Sequence, residues 1–119
     1  MNLNILESQG VKYVECPPGE TCIAGEQDIL DIIALAGEND TQRVLFHQDA
    51  FAPEFFDLKT GLAGAVFQKC ANYSIKAVVV VDFDAIRSER FKELMSECNK
   101  GSQFRFYGDR STAEKWLAG

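Results

Sequence analysis

The segment from Ile75 to Val81 constrains this chain more than any other. It reads Ile-Lys-Ala-Val-Val-Val-Val, apolar but for one residue and mostly β-branched. β-Branched side chains favour extended backbone. A strand with one wet face alternates apolar and polar residues. A run without alternation needs cover on both faces, as an inner strand of a parallel sheet has beneath helices.

The flanking segments supply those helices. Ile29, Ile32, Ile33 and Ala36 repeat at helical spacing within Glu26 to Gly37, with Glu26 and Asp28 suiting the N-terminus and Gly37 the stop. Ala63, Val66, Phe67 and Cys70 do the same in a second helix, with Asp57 or Thr60 as its cap. Ser88 begins a third, which carries Phe91, Leu94, Met95 and Cys98 and ends at Gly101. Ser111 to Glu114 has the pattern of a capping box before a short terminal helix, which Trp116 packs down.

Four further strands complete the set. Leu3 and Ile5 alternate with Asn2 and Asn4, Gln9-Gly10 turns the chain, and Val11 to Cys16 alternates again as the second arm of a hairpin. Arg43 to His47 and Gln103 to Tyr107 are short apolar strands. Gln48 to Asp57 is a polar and aromatic connector. The order ββαβαβαβα predicts an α/β fold: a mixed five-stranded sheet, parallel but for the opening hairpin, flanked by four main helices.

The chain has 119 residues and no internal repeat or linker-like tract, so residues 1–119 read as a single domain. The net charge of -6 excludes a basic face for nucleic acid or an anionic membrane surface. No apolar stretch is long enough to span a bilayer, and Met1 to Glu7 lacks the basic flank and apolar core of a signal peptide. Cys16, Cys22, Cys70 and Cys98 form no C-x-x-C pair. A Cys16–Cys22 bridge around Pro17-Pro18-Gly19 is geometrically accessible, but the expected state is four reduced thiols in a cytoplasmic protein.

Phe55-Phe56-Asp57-Leu58-Lys59-Thr60-Gly61-Leu62-Ala63-Gly64, together with Asn72-Tyr73, Val81-Asp82-Phe83 and Ser96 to Gly101, resembles domain-of-unknown-function family 4180, an uncharacterised bacterial group. The element order is also similar to the SpoIIAA-like and STAS domains (sulfate transporter and anti-sigma-factor antagonist). That resemblance implies a non-enzymatic domain that binds a protein partner. It also implies a phosphorylation switch at the start of the helix after the third strand, where this chain has Thr60-Gly61. The Asp-Ser-x-Gly pattern of that group is absent and the connector is longer.

Ligands of open α/β sheets gather beyond the carboxyl ends of the strands. Those ends carry His47-Gln48-Asp49, Asp82-Phe83-Asp84 and Tyr107-Gly108-Asp109. If the third and fourth strands are neighbours, His47, Asp57, Thr60 and Asp82 share one rim. Phe51, Phe55 and Phe56 either line an apolar pocket or form an exposed partner-binding patch, or else plug one end of the core; Lys59, Thr60 and Gly61 are candidates for a phosphate site at a helix start. Asp49, Asp57, Asp82 and Asp84 have no metal-ligand register, so neither metal nor cofactor is expected. Gly61 to Gly64 matches no phosphate-binding loop, and no nucleophile elbow occurs.

The first expectation is therefore a regulatory or protein-interaction domain. It uses Phe51 to Gly64 and the adjacent strand ends against an unidentified partner. The alternative is a domain for a small anionic or apolar ligand, held between the second helix and the sheet. An enzyme using His47 with Asp82 or Asp57 is a third reading, and it requires a carboxylate within reach of His47 at an open cleft.

Overall fold

A computed structural model describes residues 3–119; the reading of Asn2 as part of the first strand lies outside them. The strands are β1 (Asn4–Ser8), β2 (Val11–Glu15), β3 (Arg43–His47), β4 (Lys76–Val80) and β5 (Phe104–Tyr107). The helices are α1 (Glu26–Glu38), α2 (Leu62–Asn72), α3 (Glu89–Cys98) and α4 (Arg110–Ala118). The expected element order is the observed one.

The five strands lie in the order β1-β2-β3-β4-β5. β1 and β2 are antiparallel, and the other pairings are parallel. Gln9 (φ 52°) and Gly10 (φ 78°) both take left-handed backbone, the conformation a two-residue hairpin turn requires. β4 sits between β3 and β5 with Ala77, Val78 and Val79 wholly buried, as its unbroken apolar run demands.

Crossovers that advance in one direction with one hand place their helices on one face. The larger core lies there: Val14, Val44, Phe46, Ala77, Val79, Phe104 and Phe106 pack with apolar residues of α1, α2 and α3. The opposite face carries Tyr13, Leu45 and Val78 beneath Ala113 and Leu117 of α4.

Four helix ends differ from expectation. α3 stops at Cys98 with Asn99 as its cap residue, short of the expected Gly101. α1 runs through Gly37 to Glu38 and closes at Asn39-Asp40, where Asp40 takes the left-handed turn (φ 56°). α2 starts later because a 3-10 turn, Leu58–Thr60, precedes it. Asp57 caps that turn, and Gly61 (φ 78°) separates it from the helix. α4 is capped by Asp109, whose Oδ1 accepts from the Thr112 amide at 2.8 Å; Ser111 and Glu114 form no capping box. Ser88 caps α3 as expected, accepting from the Phe91 amide at 3.1 Å.

Cys16 and Cys22 are joined as a disulfide, contrary to the expectation of four reduced thiols. The Pro-Pro-Gly turn returns the chain so that the two Cα atoms lie 6.6 Å apart, within the ~4.4–6.8 Å a bridge tolerates. Cys70 and Cys98 are free, and Cys70 is buried as a small hydrophobe.

Candidate functional site

The carboxyl ends of β3 and β4 open onto a cleft of about 570 Å³. β3 ends at His47, and the chain then enters a 3-10 turn, Gln48–Ala50. A second 3-10 turn, Pro53–Phe56, brings the aromatic connector over the strand ends. His47, Gln48, Asp49 and Asp82 form the polar part of the lining; Phe51, Pro53, Phe56 and Val80 form the apolar part. His47 and Val80 are register partners across β3 and β4, so both strands finish at the cleft together.

Hydrogen bonds pin this segment. The Gln48 side chain accepts from the Asp82 amide at 2.8 Å, tying the end of β3 to the end of β4. Asp49 Oδ2 accepts from the Gly19 amide at 2.7 Å, and the Cys22 and Ile23 amides both donate to Ala50 O. The disulfide loop thus grips the same turn that carries His47, Gln48 and Asp49.

His47 is half-buried, and its Nε2 lies 3.0 Å from Oε2 of Glu15. An ionised carboxylate only accepts, so this contact has Nε2–H of His47 donating to Glu15. Glu15 is 4% exposed on the face covered by α4. Its Oε2 also accepts from Arg110 Nη1 at 2.5 Å. Arg110 Nη2 donates to the Tyr13 hydroxyl at 3.2 Å, and that hydroxyl donates to Glu114.

A polar chain therefore runs His47–Glu15–Arg110–Tyr13–Glu114 beneath the start of α4. Burial first, then the bond to Glu114, raises the Tyr13 phenol above its ordinary value. Burial works against the Arg110 cation, but the Tyr13 bond and the Glu15 and Glu114 charges raise its pKa further.

The sequence-predicted residues divide. His47, Phe51, Phe56 and Asp82 line the cleft. Asp57 lies in an adjoining groove of about 310 Å³ that shares Gln48, Pro53 and Phe56 with it. Lys59, Thr60 and Gly61 line neither. The Thr60 hydroxyl donates to Glu54 O at 2.6 Å and Asp57 O at 2.9 Å, and accepts from the Leu62 amide at 3.3 Å. It is a structural pin for the start of α2.

The expected aromatic patch does not form. Phe51 and Phe55 are core residues, stacked with ring centroids 3.9 Å apart. Phe55 is ringed by Phe56, Phe67 and Phe91. Only Phe56 is half-buried at the cleft. The carboxylate serving His47 is Glu15, where Asp82 or Asp57 was expected. Asp82 instead accepts from the Asp84 amide at 3.1 Å. Among the described residues no group of three or more His, Cys, Asp or Glu is placed to hold a metal ion.

A family profile for a domain of unknown function (DUF4180) matches residues 8–117. The chain belongs to this family. The DUF4180 match spans both ends of the polar chain, from Tyr13 to Glu114, and the whole cleft. No curated protein and no solved structure matches the chain. Among the described residues of this DUF4180 domain no helix is long and apolar enough to cross a membrane.

Proposed function

We propose that this domain binds a small ligand in the cleft at the carboxyl ends of β3 and β4. One observation carries the reading: a buried carboxylate, Glu15, holds the only histidine of the chain at the edge of a cleft walled by Phe51, Phe56 and Val80. An apolar wall with a few oriented polar groups is the usual make-up of a small-molecule site. Asp49 and Asp82 on the rim favour a ligand with an apolar body and hydrogen-bond donors or positive charge over an anion. For a protein partner, only Phe56 of the three expected aromatic contacts remains half-buried at the cleft, since Phe51 and Phe55 are buried.

STAS-like architecture belongs to the same proposal, supported by the ββαβαβαβα order; bacterial origin is proposed on the resemblance carried by Phe55 to Gly64 alone. A cytoplasmic setting is less well supported, because the Cys16–Cys22 disulfide is the kind of feature that persists in oxidising compartments.

A thermal-shift screen of a metabolite library tests the binding reading, with hits re-measured by calorimetry on His47→Ala and Asp82→Asn. Hits that lose about tenfold or more in affinity in either variant support it. A library without hits, or hits indifferent to both substitutions, would remove it.

A second reading has one specific observation behind it. Nε2 of His47 faces the buried Glu15 carboxylate while the ring lines the open cleft, the arrangement of a carboxylate-held acid or base. Turnover of a bound hit, lost in His47→Ala with binding retained, would favour a proton-transfer enzyme.

A further inference from the structure

The opposite, amino end of the sheet carries a second opening, of about 540 Å³. Arg43 and Lys76 are the first residues of β3 and β4, and they are direct register partners. Both line the opening. Like charges facing each other across neighbouring strands are destabilising, so such a pair calls for a counter-charge. No acidic side chain pairs with either among the described residues. Arg43 Nε is buried without a hydrogen-bond partner, a costly state for a guanidinium nitrogen.

Lys76 is only partly satisfied. Its ammonium donates to Trp116 O at 2.8 Å and to Gly119 O at 3.1 Å, and sits 4.6 Å from the Trp116 ring centre. Of three N–H donors one is left over. Burial, then the Arg43 and Arg105 charges, lowers its pKa, which expresses the same crowding of cations. Two acids also border the opening: Glu7 faces Lys12 in the hairpin ladder, and Asp40 is exposed at the end of α1.

We propose that Arg43 and Lys76 form a binding site for an oxyanion, the phosphate or carboxylate group of a small molecule. Either oxyanion would accept from the Arg43 guanidinium and the spare Lys76 donor together, and would neutralise the repulsion between them. The site lies at the other end of the strands from the cleft and stands independently of it.

The test is an amide NMR titration at low ionic strength with inorganic phosphate in one arm and acetate in the other. Each arm is matched to chloride. A saturable response centred on Gly10, Arg43 and Lys76, weakened about tenfold or more in Arg43→Gln and Lys76→Gln, supports the site. Saturation by phosphate alone identifies a phosphorylated ligand, and by acetate alone a carboxylated one. Arg43→Gln should also raise the melting temperature, since it removes the like-charge pair. Arg43→Lys, which keeps the charge but loses the fork, serves if the glutamine variant does not fold. Absence of saturation in both arms, or wild-type binding in the variants, overturns the proposal.

Discussion

Glu15 and His47 are 32 residues apart in sequence and 3.0 Å apart in space, the acid buried at the end of β2 and the imidazole at the end of β3. The pair fixes the orientation of the His47 ring at the cleft. It also ties the cleft to α4 through Arg110.

Removing the acid should expose its structural weight. Glu15→Ala leaves Arg110 and His47 without their shared acceptor. Arg110, at 43% side-chain exposure, can recover water, so the loss should be about 2 kcal/mol rather than the larger cost of stranding a fully buried charge. Urea denaturation measures it. A loss under about 0.5 kcal/mol would mean that the chain of contacts carries no stability.

Tyr13 should set the alkaline limit of stability. Its folded pKa lies above the ordinary 10.0, so the fold favours the neutral phenol. That contribution is fully present below pH 10 and is lost as pH rises through the raised value. Tyr13→Phe should cost about 1 kcal/mol near neutrality and flatten the loss above pH 10. Melting temperatures from about pH 8 to pH 11 decide the matter: parallel curves for both proteins would contradict it.

A thiol count tests the disulfide directly. The denatured, unreduced protein should show two reactive thiols, Cys70 and Cys98, and the reduced protein all four. Because the bridge spans only six residues, its loss should cost about 2 kcal/mol. Four thiols before reduction would refute the bridge.

The two adjacent phenylalanines should behave differently. Phe55→Ala empties a wholly buried site and should cost about 4 kcal/mol. Phe56→Ala should cost about half as much and act mainly on cleft binding. Equal destabilisation would show that Phe56 is as much core as Phe55.

Periodicity made most of the fold legible. The unbroken Ile75 to Val81 run announces an inner strand, and the spacing of Ile29, Ile32, Ile33 and Ala36 announces a helix with one apolar face. Both depend on neighbours in sequence. The site was half legible: His47 and Asp82 stand at strand ends, where topology collects ligands. Glu15, by contrast, meets Arg110 from 95 residues away, and no local pattern encodes that contact. The available signal was a carboxylate in phase with Tyr13 on a strand, where an apolar residue would ordinarily point inward. Phe51 and Phe55 stayed undecided between core and surface for a related reason. Their connector folds into short 3-10 turns that carry aromatic rings into the core without any repeating pattern.

Each strand of this sheet pairs only with the strands before and after it in the chain. No pairing has to wait for a distant segment, so the sheet can be laid down in the order of synthesis, with modest loop-closure cost at each addition. α4 is the exception. Until it emerges from the ribosome, Tyr13, Leu45 and Val78 form an uncovered apolar face. A chain that still lacks α4 is therefore exposed to aggregation through that face.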